Sequence, residues 1–595
     1  VELVGFAKTG LLDANGGAND SETVEIVVEE SSLTSYDAKG AKTYILEAGD
    51  YYFTAARDAH DAVNNILKAK DASAETVAQG NTTAGDAGFV ELVTKDTTDT
   101  ETYSVSTKGM EANLTDTETQ ITNRFDKVDI TYYQGATSNF RYMTRSDWEG
   151  TVSFAVDENG VRTQDQVKVT VTDEMSSAYD GYLSDPAGDG SEYPAYGVNN
   201  DPEAEGHLNL IDLRAYDDED DDPTNNEWIP YDHELWDTLL NQLTWQETVD
   251  LLSHGYRMTY GIASIAKPQT IDHNGACGPI QPYGSGVNNN GFAKKYNDPD
   301  MSLRPSLYPC NGIAAATFNK ELMEYYGKQW GEDCLWGGLS GLYGMGINTH
   351  RSPYGGRNFE YYSEDPVLAG QIAAEMCKGM RTRGVLIYLK HCFLNDQESY
   401  RYGGFVWANE QTCREIYLKP FQIAIEDGGA QNIMSAFPLF GMDWSGSQGF
   451  INDVLRAEFG MSGFAVSDWK GGVQGNWLRG VMGGNDLPDG THSTVFDDVA
   501  PTSEGGTGEY GNVAQEMREC AHRILYAVVH SNAMNGFTSD SRIIRLTPWW
   551  QTTVDVARVV AIVLFTSSMI LLAVGVFWEP IAGMISEKKS KGAKK

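Results

Sequence analysis

Asp468 follows the short apolar run at 463–466 by one serine and directly precedes Trp469. Such a run is typical of a buried strand, so the carboxylate stands where that strand leaves its sheet. In α/β barrels this end of the strands carries the catalytic groups. A carboxylate beside an indole ring suits chemistry on a sugar, because carboxylates attack or stabilise anomeric carbons. An aspartate in this position is also commonly a helix N-cap or a turn residue.

Two further stretches place charged side chains in comparable positions. The apolar residues 385–389 lead directly into Lys390 and His391, and Arg357 lies in the polar stretch 355–366. A lone histidine after such a run would be an ordinary core residue, but beside Lys390 at a strand end it indicates a site. Arginine donors also suit vicinal hydroxyls and carboxylates, although ion pairing with a nearby glutamate is an alternative for Arg357.

From residue 231 onward, strand-like and helix-like patterns alternate. Amphipathic helices are predicted at 235–252, 366–384 and 409–427. Strand-like runs are predicted at 341–347, 385–389, 432–436 and 464–466. Alternation of this kind predicts an α/β fold with a parallel sheet, either open or closed.

Together the three stretches resemble the family-3 glycoside hydrolases, the β-glucosidase family. The family's blocks occur in order: Gly-Arg-Asn-Phe-Glu-x-x-Ser-Glu-Asp-Pro from Gly356, Lys-His-x-x-x-Asn-x-Gln-Glu-x-x-Arg from Lys390, and Ser-Asp-Trp from Ser467. The resemblance extends from about Leu243 to about Gly536. It implies a TIM-like (β/α) barrel.

The resemblance also covers the first 70 residues, which are similar to late strands of the family's fibronectin-III-like domain. Short strands are predicted there at 24–29, 42–46 and 51–54. A domain of this kind before the barrel implies the circularly permuted branch of the family. The implied organisation is a partial fibronectin-III-like β-sandwich (1–70), an irregular linker or insert packed on the barrel (71–230), the barrel (231–536), a juxtamembrane segment (537–554), a transmembrane helix (555–578) and a basic cytoplasmic tail (579–595).

For the site, the resemblance implies a retaining double displacement with Asp468 as the nucleophile. It places the substrate-binding side chains around the same sugar; these are Arg357, Lys390, His391, Arg401 and Trp469. Ion pairing of Arg401 with Glu398 is the structural alternative for that arginine. The acid/base is not identifiable in this chain, because in the permuted branch it comes from an α/β sandwich domain that we expect before Val1.

Two substrate-binding positions depart from the family pattern. Asn274 stands where the family has an aspartate that grips sugar hydroxyls, and it loses the charge-assisted bonds of a carboxylate. Asp272 could take over that role only if the loop shifts. Phe437 stands where the family often has tyrosine, and its ring carries no hydroxyl for a hydrogen bond to the nucleophile.

The amino-acid composition limits the kinds of partner and cofactor that the chain is expected to bind. A formal net charge of -40 argues against nucleic acid, which is bound by basic surfaces, and suits an extracellular surface. The 7 cysteines show no tight spacing, so free thiols are expected, with one disulfide as the alternative. The acidic run at 217–222 lacks the pattern of a calcium loop and is expected to be solvated. No metal and no cofactor are expected.

The C-terminal region predicts a single membrane span. Residues 559–578 contain no charged side chain and would extend roughly 30 Å as a helix, the thickness of a hydrocarbon core. Tryptophans 549, 550 and 578 flank the run, and lysines follow it at 588, 589, 591, 594 and 595. The positive-inside rule places this tail in the cytoplasm and the barrel outside the cell. A buried core helix is the alternative.

The sequence therefore predicts a retaining β-glycosidase, β-glucosidase-like, that removes terminal β-linked sugars from glucosides or oligosaccharides at the cell membrane. A second class of function is a catalytically impaired cell-surface carbohydrate-binding protein on the same barrel. Asn274 and the unassigned acid favour the second class, whereas Asp468, Lys390, His391 and Arg357 favour the first. We expect the chain to be part of a longer protein.

Overall fold

The structure is a computed structural model. It describes residues 2–71, 83–109, 119–133, 135–136, 140, 142, 154–156, 159, 162–164, 169–177, 192–214, 228–279, 308–351, 353, 355–469, 477–490, 493–501, 510–544 and 549–592. The acidic run at 217–222 lies outside these residues. The chain divides into two compact units, Val1–Ser541 and Arg542–Lys595.

The N-terminal part of the first unit consists of antiparallel strand pairs. Its strands are β1 (Ser35–Asp37), β2 (Thr43–Ile45), β3 (Gly49–Thr54), β4 (Val90–Lys95), β5 (Val105–Ser106), β6 (Thr119–Gln120), β7 (Phe154–Val156) and β8 (Arg162–Gln164). Each odd-numbered strand pairs with the next one. Helix α1 (Ala59–Ala69) connects β3 to β4, and a short helix α2 (Asp173–Ser177) follows β8. The β3–β4 pair therefore crosses the boundary predicted at residue 70.

One strand predicted in this part is wrong. Residues 24–29 form no strand, and all but Val28 are exposed. Their alternation of apolar and acidic side chains fits a half-buried strand, but a strand also needs a hydrogen-bonding neighbour. None of the described strands pairs with this stretch.

The centre of the first unit is a five-stranded parallel sheet. The strands after β8 are β9 (Asp272–Gly275), β10 (Gly341–Gly344), β11 (Leu386–Cys392), β12 (Phe405–Val406), β13 (Asn432–Ser435), β14 (Leu439–Phe440), β15 (Asp443–Trp444) and β16 (Ala465–Ser467). The order in the sheet is β16-β13-β11-β10-β9, and β12, β14 and β15 form a small separate sheet. The four apolar runs predicted as strands are confirmed as β10, β11, β13 and β16.

Helices pack around this sheet. They are α3 (Glu234–Gln242), α4 (Trp245–Ser253), α5 (Asn311–Ala315), α6 (Lys320–Gly337), α7 (Pro366–Arg381), α8 (Glu410–Thr412), α9 (Lys419–Glu426), α10 (Trp477–Met482) and α11 (Gly511–Val529). The helix predicted over 235–252 is two helices, because Thr244 forms a capping box with Glu247 that starts a new one. The helix predicted over 409–427 is also divided, by a π-helical turn at Cys413–Tyr417 between α8 and α9.

A hydrogen-bonded connection, here called the seam, joins the two edge strands of the sheet through residues 255–257 and 487–490. On one side, Ser467 of β16 donates its backbone N–H to the Leu487 carbonyl at 2.9 Å. Within the seam, the Gly255 N–H reaches the Gly490 carbonyl at 3.1 Å. On the other side, Asp272 of β9 donates to the Arg257 carbonyl at 3.0 Å. The edges of the five-stranded sheet are therefore linked.

A buried ionic cluster ties the N-terminal part to the helices around the sheet. Arg414, fully buried, donates to Glu410 at 2.7 Å and to Glu458 at 2.6 Å. Arg414 also donates to the Thr122 carbonyl at 2.8 Å, and Glu410 accepts the Phe125 backbone N–H at 2.6 Å. Two carboxylates and one guanidinium are thus buried together at this junction.

The second unit contains the long helix α12 (Trp549–Gly592), with Pro580 inside it. Among the residues that the structure describes, one helix is long and apolar enough to cross a membrane. It is this one, over Trp549–Lys589, and none of its apolar window is buried inside the protein.

Candidate functional site

A cavity of about 520 Å³ lies where the parallel strands end. Its lining consists of Arg257, Asn274, Gly356, Arg357, Phe359, Lys390, His391, Glu398, Arg401, Tyr402, Met434, Phe437, Asp468 and Trp469. Every site residue predicted from the sequence is in this lining. The catalytic and binding roles assigned to these residues stay predictions.

Asp468 directly follows β16, and its two carboxylate oxygens have different surroundings. Oδ1 accepts the Trp469 backbone N–H at 2.6 Å. Oδ2 is buried and accepts no hydrogen bond from the described residues, and it lies 3.6 Å from His391 Nε2. Burial raises the pKa of Asp468, while the Trp469 N–H and the charges of Arg401, Lys390 and Arg357 oppose that rise.

Strand β16 is held in place by a buried carboxylate on the segment that follows α10. Asp486 accepts the Ala465 backbone N–H at 2.6 Å, at the first residue of the strand. The same side chain pairs with Arg456 at 2.6 Å and with Arg523 at 2.9 Å. Because β16 is only three residues long, this anchor fixes the position from which Asp468 projects.

His391, which the sequence predicts to bind sugar hydroxyls, is held near the end of β11. Asn348 accepts the His391 backbone N–H at 2.7 Å and donates its amide to the His391 carbonyl at 2.9 Å. Burial lowers the pKa of His391 well below its usual value, and the cations Arg357, Lys390 and Arg401 lower it further. The imidazole is therefore neutral at pH 7 and forms no charged pair with Asp468.

Glu360 is buried and pairs with two cations of the cavity lining. Arg357 Nε contacts its Oε1, and Lys390 Nζ lies 3.6 Å from its Oε2. Burial lowers the pKa of Lys390, and the nearby Glu360 carboxylate opposes that shift. The ion pairing considered as an alternative for Arg357 is thus present, and the arginine also lines the cavity.

Arg401 is held between a carboxylate and two aromatic rings. Its Nη1 lies 3.4 Å from Glu398 Oε2, as in the structural alternative. Its guanidinium carbon is 4.8 Å from the centre of the Phe437 ring and 5.3 Å from that of Tyr402. Cation–π attraction of this kind needs only the ring face, so Phe437 positions Arg401 without a hydroxyl.

Asn274 is on β9 and lines the cavity, but Asp272 of the same strand does not. Asp272 is fully buried and accepts a hydrogen bond from the Tyr388 hydroxyl at 2.8 Å. Burial raises the pKa of Asp272 to about 6, although the Tyr388 hydroxyl lowers it. The loop shift that would bring Asp272 into the site has not occurred, so Asn274 is the polar side chain that β9 offers.

Sequence reasoning missed Arg257, which reaches the cavity from the seam. The segment around it contains neither an apolar run nor a motif, so the residues around it give no signal of a site. Its backbone φ of 51° lies in the left-handed region. Non-glycine residues adopt that region at an energetic cost and are enriched at ligand-binding sites.

The part of the chain that the structure describes offers neither a metal-binding cluster nor a disulfide bond. No group of three or more histidine, cysteine, aspartate or glutamate side chains there is arranged to hold a metal ion. All 7 cysteines are free thiols. The disulfide left open from the sequence is therefore not formed.

Comparison with known proteins points to one family. Residues 302–479 match the family model described as Glycosyl hydrolase family 3 N terminal domain. The chain is 37% identical over 242 residues to a probable β-glucosidase J of Neosartorya fischeri, covering 40% of this chain and 26% of that protein. It is 36% identical over 193 residues to β-glucosidase A of Butyrivibrio fibrisolvens, covering 32% and 23%. The chain thus matches about a quarter of the length of these relatives.

A solved structure extends the likeness beyond the matched segment. It is a β-glucosidase from Paenibacillus barengoltzii, with a TM-score of 0.54 and 20% sequence identity. The superposition covers 88% of this chain and 49% of that one. At this identity the likeness concerns the fold alone, an α/β fold with a mainly parallel sheet.

Proposed function

We propose that this chain is part of a retaining β-glycosidase that removes terminal β-linked sugars from glucosides or oligosaccharides. The observation that carries the proposal is the state of Asp468. One of its oxygens is fixed by the Trp469 N–H, and the other is buried at the cavity and accepts no hydrogen bond in the part of the chain that the structure describes. A nucleophile needs such an uncommitted oxygen, because it must form a bond to the anomeric carbon.

The proposed reaction has two displacements at the anomeric carbon. Asp468 Oδ2 attacks it, and the bond to the leaving oxygen breaks as that oxygen receives a proton from an acid/base residue, which is not identified in this chain. Water then gives a proton back to that residue and attacks the same carbon, the bond to Asp468 breaks, and the sugar leaves with its original configuration. Neutral His391 and the cations around the cavity hold the sugar hydroxyls; the cations are Arg357, Lys390 and Arg401.

We also propose that the parallel sheet closes into a TIM-like (β/α) barrel. The seam supports this, because its hydrogen bonds link β16 to β9 across the open side of the sheet. The antiparallel pairs β1–β2 and β3–β4 support a partial fibronectin-III-like β-sandwich ahead of the barrel, the order of the circularly permuted branch.

The proposed function predicts covalent labelling at Asp468. A 2,4-dinitrophenyl 2-deoxy-2-fluoro-β-glycoside should form a stable glycosyl-enzyme, because fluorine slows the second step and dinitrophenolate leaves without a proton. Mass spectrometry of the labelled chain should find the added sugar on the peptide that contains Asp468. Asp468→Asn is the matched control, and it should remain unlabelled.

Two results would contradict this assignment. Labelling of the Asp468→Asn variant would exclude Asp468 as the nucleophile. A wild-type chain that binds the sugar but never becomes labelled would favour the carbohydrate-binding alternative instead.

We further propose that α12 anchors the protein in the cell membrane by a single span, with the barrel outside and the C-terminus in the cytoplasm. Its length and apolar composition support an anchor. Lysines 588, 589 and 591 lie at its C-terminal end and favour a cytoplasmic tail.

The proposed orientation predicts the result of protease treatment. Protease added to intact cells should remove the barrel and spare an epitope fused after Lys595. In cells permeabilised with detergent, the epitope should be lost as well. Protection of the barrel in intact cells, with cleavage only after lysis, would reverse the assigned orientation.

A further inference from the structure

Arg257 differs from the other cations that line the cavity, because its side chain forms no ion pair with a carboxylate among the residues that the structure describes. Arg357 and Lys390 both pair with Glu360, and Arg401 pairs with Glu398. Among the described residues Arg257 Nε is buried and has no hydrogen-bond partner; Nε and Nη1 of Arg401 share this state, but Arg401 lies beside Glu398. An unpaired buried donor is costly, so this guanidinium is suited to a ligand that supplies the missing acceptor.

The backbone of Arg257 is fixed by both sides of the seam. Its N–H donates to Asp489 Oδ1 at 3.1 Å, and its carbonyl accepts the Asp272 N–H at 3.0 Å. The left-handed φ of 51° is maintained by these contacts. A backbone fixed in this way limits where the guanidinium can lie, which lowers the entropic cost of binding a ligand.

The described lining of the cavity offers few carboxylates to Arg257. Asn274 reaches the cavity from β9, where an aspartate would have supplied a negative charge. Asp468 and Glu398 are the carboxylates of the described lining, and Glu398 already pairs with Arg401. Burial raises the pKa of Asp489 to about 7, and the backbone N–H and the charge of Arg257 oppose that rise, so Asp489 is a further carboxyl close to this guanidinium.

We propose that the cavity binds a β-linked sugar that carries a carboxylate, a uronic acid, with that carboxylate on Arg257 and the Asn274 amide. A guanidinium matches the two oxygens of a carboxylate with parallel N–H donors, and a charged acceptor strengthens both bonds. A neutral sugar would offer hydroxyls alone and leave the charge without a partner. The inference rests on the proposed glycosidase function and names its substrate class.

Calorimetric titration of the full chain in detergent tests this directly. The ligands are methyl 1-thio-β-D-glucuronide and methyl 1-thio-β-D-glucoside, whose sulfur linkage resists hydrolysis. The glucuronide should bind more tightly. Arg257→Gln should weaken the glucuronide roughly 10- to 100-fold, which is the usual size of a charge-assisted hydrogen bond, and change the glucoside less than about threefold.

Three further variants separate ligand binding from structure. Arg257→Lys keeps the charge without the fork and should lose less glucuronide affinity than Arg257→Gln. Asn274→Asp should reverse the preference, because its carboxylate pairs with Arg257 and repels the uronate. Arg57→Gln, at a side chain that is 90% exposed, removes the same charge from the surface and should change neither affinity.

Several outcomes would overturn the inference. One is equal binding of both sugars by the wild-type chain. Another is an equal loss of both affinities in Arg257→Gln, which would mean that the residue acts only on the structure. Tighter binding of a 6-O-sulfated thioglucoside would assign Arg257 to a sulfate ester. If Arg257→Gln fails to fold, the test is the Asn274→Asp variant, and an unchanged preference for the glucuronide in that variant would overturn the inference.

A failure of the proposed glycosidase function would give a different result from a failure of the carboxylate site. A chain that prefers the glucuronide, but never forms a covalent glycosyl-enzyme, would retain the carboxylate site and lose the glycosidase assignment.

Discussion

Under the proposed glycosidase function, replacing Asp468 by glycine should lower kcat for a 2,4-dinitrophenyl β-glycoside roughly 10⁴-fold or more. The reason is that glycine removes Asp468 Oδ2, the oxygen that we propose forms the covalent intermediate. Substrate binding should change little, since the cations and His391 stay in place. Initial rates of dinitrophenolate release measure the effect.

Azide should restore part of this activity in the Asp468→Gly variant. The anion fits the volume that the carboxylate vacates and attacks the anomeric carbon from the same face. A carbon–nitrogen bond forms as the bond to dinitrophenolate breaks, which gives an α-glycosyl azide. Nuclear magnetic resonance of the product distinguishes this azide from the free sugar.

The control for the Asp468 series is Asp427→Asn, whose side chain is 58% exposed at the end of α9. This variant should keep the activity of the unaltered chain and show no effect of azide. If Asp468→Gly retains more than about a tenth of the activity, the nucleophile lies elsewhere. A rescued product with β configuration would equally contradict attack from the Asp468 face.

The largest expected effect on stability comes from Arg414 in the buried ionic cluster. Arg414→Met should lower the free energy of unfolding by about 3–5 kcal/mol, because Glu410 and Glu458 then keep buried charges without a cation. The substitution also removes the donor to the Thr122 carbonyl. Urea unfolding of the full chain in detergent, followed by tryptophan fluorescence, should show a lower midpoint.

A triple variant tests whether unpaired charge causes this loss. Glu410→Gln, Arg414→Met and Glu458→Gln together remove every charge of the cluster, and the new amide at position 410 still presents an oxygen to the Phe125 N–H. Neutralised clusters are often as stable as the ionic original, so the triple variant should recover most of the midpoint. A single variant that loses less than about 1 kcal/mol would contradict the importance of this junction.

The strands that consist of apolar residues could be predicted from the sequence, and so could the polar side chains that directly follow them. Runs such as 385–389 predict buried parallel strands because both faces of such a strand are covered. The side chains placed at their ends, Lys390, His391 and Asp468, consequently lie in one cavity. Strand β9 could not be predicted in this way, since its residues Asp272–Gly275 are polar or glycine and are stabilised by pairing with β10.

The predictions failed where the structure depends on contacts between residues that are far apart in the sequence. Residues 24–29 alternate like a strand, but strand formation depends on a neighbour that the pattern does not specify. Arg257 was missed for the opposite reason, because its place in the cavity depends on Asp489, which is more than two hundred residues away in the chain. Contacts at that separation have no periodicity to detect.

Arg257 belongs both to the seam and to the cavity. The hydrogen bonds of the seam and the binding of a sugar therefore both depend on this residue. Closing the seam holds the guanidinium in place for a ligand. By thermodynamic reciprocity, a ligand held there must favour the closed seam by the same free energy. Bound sugar would therefore slow amide hydrogen exchange at Gly255, Arg257 and Asp272, although none of these N–H groups need touch it. Bound substrate would then stabilise the fold of its own binding site.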